Sequence, residues 1–542
     1  MLKCPNCGGG LVYDIRKKKL KCLHCDTLTE VEEYRENNSA DETYDDGMMV
    51  YTCRSCGAQL ISPDQAATAF CSYCGSEQIM ESKLDRYRRP GQIIPFKITK
   101  KQCRNAYEQE VRKSLYAPKE FRDPKFLDTF RGIYIPYWRY DVGFKNDTIS
   151  LKGKSSQRDG DYIIEKDYDL TADLSGSYDG VLYDASSSFD DTIAEAIAPY
   201  HSKEIKDYHT GYLAGFYADA IDIKDDVYKE EALEKAEENA VESLKKAFQK
   251  SRNIEPVIPD RKEKRKELLG LQLNESKSVL FPVWFLTWRK NERVAYAVVN
   301  GETGRICGDL PVDFRRFFLI TSLCAVIIFL IMTALVSMTA PTALLISACA
   351  ALAASYFYRR EIRKIHDHEN HVFDRGYFVD GRDTELSAEQ AEKIRMKREQ
   401  EENRAALLLA FGILGILFGL IFIIAFVEVL AEEMPADRAL ILCSILMIPA
   451  FLNLIRTLPF RIHLKDHSLI PEALLCFAAV AAAWFILYIQ PVDDYIYYLG
   501  SLFSLSCVLI TCIGLIRKYN LLATRSLPVY FERNGGDQSE AA

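Results

Sequence analysis

Apolar residues crowd one end of this chain. Beyond about residue 315, six runs approach the roughly 20 apolar residues that a helix needs to cross a bilayer. They lie near 317–338, 340–358, 405–427, 439–455, 471–489 and 496–516. The pattern predicts a six-helix α transmembrane domain over 315–519, followed by a cytosolic tail at 520–542. Before residue 315 the apolar positions are spaced instead. Over 226–249, Leu233, Ala236, Ala240, Val241, Leu244 and Phe248 fall on one helical face, and 100–116 reads as a second helix. Residues 93–96 read as a short strand. Two aromatic, β-prone segments, 133–140 and 280–288, each enclose a proline, Pro136 and Pro282. A proline there favours a strand start, an edge or a bulge over a central strand. The second segment continues through 294–299, turns at Asn300-Gly301 and Thr303-Gly304, and runs on to Cys307, which predicts a hairpin or meander. Residues 87–312 therefore read as one cytosolic α+β domain.

Loop charges orient the apolar half. Arg315, Arg316, Arg359, Arg360, Arg363, Lys364, Arg456, Arg461, Lys465, Arg517 and Lys518 all fall on one side of the six expected spans. The other side carries Glu428, Glu432, Glu433, Asp437, Asp493 and Asp494 with only Arg438. The positive-inside rule places both termini in the cytoplasm of a multi-pass plasma (inner) membrane protein. Alanine-rich stretches at 348–354 and 478–483 predict close helix packing, including homo-oligomer contacts. The six cysteines within the spans read as small buried hydrophobes.

The chemistry sits at the other end. Cys4, Cys7, Cys22 and Cys25 form a C-x2-C, C-x2-C quartet, and Cys53, Cys56, Cys71 and Cys74 repeat it 49 positions later at every ligand. Tetrahedral zinc takes four such donors, and a two-residue gap wraps a knuckle around the metal. Glycines after Cys7, Cys56 and Cys74 supply backbone freedom for it. Four thiolates leave no open position, so two Zn2+ ions are expected in structural roles, in a zinc ribbon at 1–29 and another at 50–85. Glu30, Glu32, Glu33, Glu36, Asp41, Glu42, Asp45 and Asp46 against Arg35 make 30–49 read as a flexible acidic linker. The fold class is multidomain: two small β ribbons, a cytosolic α+β domain and a six-helix membrane domain.

Other chemistries fare less well. Phosphate binding requires a basic surface, yet residues 1–85 hold nine Lys and Arg against fourteen Asp and Glu, and the chain carries a net charge of −8. Lys17, Lys18, Lys19 and Lys21 form a local basic run that reads as a solvated face. Gly153-Lys154-Ser155 resembles the end of a phosphate loop, but Thr148 stands where its first glycine is required, and the segment reads as a loop. His366, Asp367, His368 and His371, with His463 and His467, match no defined metal spacing. Ionisable groups are missing from the expected span centres, Glu428 and Glu472 falling at span ends and Asn453 standing alone, which disfavours transport.

The cysteine quartets, residues 132–138 (GIYIPYW), 212–218 (YLAGFYA), and Phe281-Pro282-Val283-Trp284 through 299–305 (VNGETGR) resemble a family of bacterial membrane proteins with transcription-factor-IIB-type zinc ribbons. The likeness covers roughly residues 1–315. The name of the primosomal replication-restart helicase travels with such cysteines, but the missing Walker motif argues against that activity. The resemblance implies an association with phage-shock or flotillin-like membrane proteins. The function expected is a non-enzymatic, membrane-anchored adaptor or scaffold whose partners are the lipid bilayer and one or more proteins. A membrane-tethered nucleic-acid-binding protein of replication or transcription is the alternative, and a transporter-like protein is the third.

Overall fold

Chain reversal between the first two cysteine pairs comes from Asp14, whose carboxylate accepts from the amides of Arg16 and Lys17 at 2.9 and 3.1 Å. The resulting hairpin, β1 (Leu11–Asp14) and β2 (Lys19–Cys22), is joined by β3 (Leu28–Thr29) in a three-stranded antiparallel sheet. The computed structural model describes residues 2–34, 44–53, 55, 58–62, 71, 73–74, 76, 81–123, 130–159, 162–186, 189, 191–252, 254–259, 261–290, 293–308, 310–335, 339–369, 435–463, 472–523 and 525–526.

The second cysteine stretch brings β4 (Tyr44–Thr52) between β5 (Gln59–Ser62) and β6 (Glu81–Arg88). After β7 (Gln92–Ile93), Thr99 and Gln102 form a capping box that starts α1 (Lys100–Lys113). This helix buries Cys103, Tyr107 and Val111, one residue per turn. A long hairpin follows, β8 (Arg131–Asp159) and β9 (Tyr162–Asp184), then α2 (Asp191–Ile197), β10 (Lys206–Asp207) and β11 (Tyr217–Asp219). The expected amphipathic helix is α3 (Lys229–Arg252), which buries Ala232, Ala236, Ala240 and Leu244 at four-residue spacing. Then come β12 (Glu255–Val257), α4 (Lys262–Leu269), β13 (Leu271–Lys290), β14 (Arg293–Asn300) and β15 (Ile306–Gly308).

At the centre, β8 and β13 pair antiparallel from Arg131↔Phe285 to Phe144↔Leu271. Pro136 and Pro282 were expected at a strand start, edge or bulge, but both lie well inside these strands. The ladder explains why. On its outer side β8 pairs with β11 at Tyr134 and with β9 from Tyr137, and Pro136 falls at the changeover. β13 likewise pairs with β7 at Leu280 and with β14 from Val283, with Pro282 between them. The missing N–H of each proline coincides with a break between partners, so no ladder bond is lost.

Both faces of this sheet are covered. Tyr134, Leu280, Trp284 and Leu286 point into one core, and Ile133, Ile135, Tyr137, Val279, Phe281, Val283 and Phe285 into the other, the period-2 alternation of a two-sided strand. A tryptophan from each central strand anchors a loop: Trp138 Nε1 donates to Ile223 O and Trp284 Nε1 to Ile98 O, both at 2.8 Å.

Among the described residues, four helices are long and apolar enough to cross a membrane: Ala340–Ile365, Ala436–Thr457, Glu472–Ile489 and Asp494–Asn520. They lie within α6 (Ala340–Glu369), α7 (Ala436–His463), α8 (Glu472–Ile489) and α9 (Asp494–Leu522), preceded by α5 (Phe314–Leu335), which covers most of the first expected span. The expected span at 405–427 lies outside the described residues. Ala348, Ala351, Ala479 and Ala483 are fully buried between helices, as their small size allows. Ile441, Ile445 and Ile448 are about 60 % exposed along one stripe of α7, an apolar outside that suits lipid and not water.

Two glycines test the backbone reading. Gly270 follows α4 at φ +58°, and a Cβ there would clash with the carbonyl oxygen of Lys145. Gly8 has φ +72° with nothing within 4 Å of a Cβ. Gly8→Ala is expected to cost about 1–2 kcal/mol of stability, the left-handed penalty alone. Gly270→Ala adds a backbone clash and is expected to exceed about 3 kcal/mol. Urea unfolding of the detergent-solubilised chain, followed by tryptophan emission, measures both; equal losses would contradict the packing described.

Candidate metal centres

Each C-x2-C loop is closed in the same way. The amides of Cys4, Cys22, Cys53 and Cys71 donate to the carbonyls of Gly9, Thr27, Ala58 and Ser76, five residues on, at 2.7 to 3.0 Å. The second cysteine of a pair is followed by a left-handed residue where the first module is described: Gly8 at φ +72° and Asp26 at φ +57°. Asp tolerates that region better than most side chains, and Lys21 holds Asp26 at 2.9 Å.

These knuckles bring thiols together. Cys4, Cys7, Cys22 and Cys25 have sulfurs within 4.8 Å of one another, and so do Cys53, Cys71 and Cys74; Cys56 lies outside the described residues. Closest approaches are 3.8 Å (Cys4–Cys25), 3.4 Å (Cys7–Cys22) and 3.6 Å (Cys53–Cys74). All are free thiols. Four sulfurs about 2.3 Å from a tetrahedral metal lie about 3.8 Å apart, so the spacing fits such an ion. Amides of Gly9 and His24 donate to Cys7 Sγ and Cys22 Sγ at 3.4 Å. The hydroxyl and amide of Thr27 pull Cys25 down to about 6. Two cysteine clusters could thus hold metal ions.

The two modules are not beads on a string. In the first, Leu2, Cys4, Leu11, Tyr13 and Leu20 enter the core on the Tyr134 face of the central sheet. In the second, Tyr51, Cys53, Leu60, Cys71, Tyr73 and Cys74 enter the core on the Ile133 face. One segment makes both attachments. Ala214 O accepts from the amide of Tyr13 at 2.9 Å and Tyr212 packs edge-on against Tyr13 at 5.3 Å; β11, a few residues later, lies between β8 and β5. The expected flexible linker is ordered at both ends. Val31 is fully buried, Glu32 accepts from Tyr212 Oη at 2.7 Å and from Lys206 at 3.2 Å, and residues 44–52 form β4. Glu32, at the start of this acidic stretch, is held because Lys206 and Tyr212 supply the donors its carboxylate needs.

The remaining candidates resolve differently. Gly153, Lys154 and Ser155 are not a loop but part of β8, paired with Tyr168, Asp167 and Lys166 of β9, and a Cβ on Gly153 would strike Ile254 and Leu170. Of the basic run, Lys19 is ion-paired with Glu30 and Lys21 with Asp26. His366, Asp367 and His368 fall in the last turn of α6 and His463 ends α7, their side chains undescribed, while His371 and His467 lie outside the described residues. Asn453 does not stand alone: it donates to Ser355 at 2.6 Å, and Tyr358 donates to buried Glu472 at 2.8 Å, each pair crossing between helices.

Sequence reasoning missed Asp219, a lone acid in the apolar run 216–220. It is 2 % exposed and accepts from Tyr73 Oη at 2.5 Å and from Ser186 Oγ. Tyr73 stands between Cys71 and Cys74, so this carboxyl ties the second cluster to β11. Burial pushes it up to about 7, against the pull of the Ser186 and Tyr73 hydrogen bonds and with help from the Asp222 charge. The folded group then holds its proton above its ordinary carboxylate range. Its stabilising contribution is complete below about pH 4 and is lost as pH rises to about 7. Asp219→Asn is expected to gain on the unaltered chain by up to about 1.4 kcal/mol per pH unit between pH 5 and 7, with a plateau above. Urea midpoints of both proteins at each pH test this; a difference that stays flat would mean that Asp219 is ionised throughout.

No family model and no solved structure matches the chain. It is similar to the uncharacterized protein YdjG of Bacillus subtilis (strain 168), 27 % identical over 317 residues that cover 57 % of this chain and 90 % of that protein.

Proposed function

We propose that this chain is a membrane-anchored zinc-ribbon scaffold of the bacterial type with transcription-factor-IIB-like ribbons. It presents a protein-binding surface at the cytoplasmic face of the plasma membrane. Six helices hold it there, with both termini inside, and two zinc ions serve structure, not catalysis. Its protein partners belong with phage-shock or flotillin-like membrane assemblies. The observation that carries this reading is the unequal exposure of two matched knuckle sets. Cys74 is sealed in the core, whereas its counterpart Cys25 is half-buried and, in the same first ribbon, Cys7 and Leu23 are exposed; the counterparts of those two, Cys56 and Ser72, lie outside the described residues. The second ribbon acts as an internal staple and the first offers its tip. All-thiolate ligation supports a structural metal. The ion pairs of Lys19 and Lys21 favour a protein partner over a phosphate backbone.

Metal analysis of the purified chain is expected to give two zinc ions, and Cys53→Ser one, with a loss of stability since Cys53 sits in the core. Leu23→Asp is expected to keep both ions and still lose crosslinks to neighbouring proteins in native membranes, read by mass spectrometry. An unchanged crosslink pattern in Leu23→Asp and in Cys4→Ser would show that the first ribbon is not the docking surface.

A further inference from the structure

Where α6 and α7 run out of apolar residues, both turn basic at the same level. Asn453 of α7 donates to Ser355 of α6 at 2.6 Å, and about one turn further along each helix come Arg456 and Arg359. Tyr358 and Ile362 of α6 share one apolar cluster with Leu454 of α7 beside them. The charges of Arg456 and Arg363 both act on Arg359, so the three guanidinium groups occupy one neighbourhood. Arg359 is half-buried and Arg456 is exposed. Among the described residues no carboxylate pairs with Arg359, Arg360 or Arg456: Glu361 holds Lys364 at 3.0 Å, and Glu472 accepts from Tyr358.

The level is set by the apolar surface that stops there. On α7 the outward stripe of Ile441, Ile445 and Ile448 runs on through Leu452 and Ile455, and Arg456 is the next residue. On α6, Tyr356 and Phe357 are exposed, and the Arg359 guanidinium lies over the Tyr356 ring at 5.4 Å from its centroid. Tyrosine with arginine beside it, at the end of an apolar stripe, marks the headgroup layer of a bilayer. Crowded guanidinium groups repel one another, and a phosphate answers them with paired oxygens in matching geometry. A soluble phosphate would leave the stripe unused, whereas acyl chains extend along it from a headgroup held at the arginines. We propose that the boundary between α6 and α7 binds the phosphate headgroup of an anionic phospholipid. Arg359 and Arg456 donate to its phosphate oxygens, and Arg363 adds positive charge. The site rests on the membrane-anchored reading and adds a lipid class to it.

Native mass spectrometry of the full detergent-solubilised chain tests this, with phosphatidylglycerol and phosphatidylcholine of equal acyl length titrated in turn. Phosphatidylglycerol is expected to bind at least about fivefold tighter, and inorganic phosphate is expected not to displace it. Arg359→Gln and Arg456→Gln break no ion pair among the described residues, so both should fold; each is expected to weaken phosphatidylglycerol binding about fivefold. Arg438→Gln, at the other end of α7, is expected to leave it unchanged. The site is overturned by equal affinity for the two lipids, by displacement with inorganic phosphate, by unchanged binding in both variants, or by an equal loss in Arg438→Gln. Alkaline carbonate washing of native membranes separates this from the anchored reading: a chain that stays in the pellet keeps that reading whatever the lipid result, and one that washes off removes both.

Discussion

Antiparallel pairing of β8 with β13 runs over fourteen register positions, and the large sheet is built outward from these two strands. Period-2 alternation turns the pair two-sided, so each face demands a cover. α1 and the first cysteine module cover one face; α2 and the second module cover the other. The loops that connect covers to strands are then held by side chains reaching out of the sheet, such as Trp138 and Trp284. Partner changes along the outer edges of β8 and β13 decide where proline is tolerated and where short strands dock. A break in this pairing would uncover both cores together.

Much of this was legible in the residues. The cysteine knuckles, α1, α3, the aromatic strands and the apolar helices all follow from local spacing, since their determining contacts lie within a few residues of one another. What escaped was long-range. Nothing local says that Pro136 faces a changeover between β11 and β9, because β11 is some eighty residues away. The acidic stretch after Cys25 looked unfoldable for want of apolar surface, yet Glu32 finds its donors, Lys206 and Tyr212, 174 and 180 residues further along the chain. Asp219 is a single residue with no spacing to betray it. Gly153 was read as part of a loop because glycine and charge resemble one; its real constraint is the approach of Ile254 and Leu170.

The two cysteine modules share a backbone closure and differ in what surrounds it. Among the described residues the bonds from the first cysteine of each pair match in both modules, so the knuckle geometry is a local property of the repeat. Their surroundings differ because β5 joins the large sheet through β11, while β1 and β2 keep a sheet of their own and lean on it through Tyr13. Matched closures therefore sit in different surroundings, with Cys74 buried and its counterpart Cys25 half-buried.

A small contact bears on the whole apolar half. Asn520, near the end of α9, accepts from the amide of Val312 at 2.7 Å and donates to its carbonyl at 3.0 Å, just ahead of α5. β16 (Arg525–Ser526) then pairs with β14 of the soluble sheet. Chain positions more than two hundred residues apart thus meet at one point. The helical half is thereby pinned at both ends to the large sheet, so neither end can shift against it without breaking these bonds.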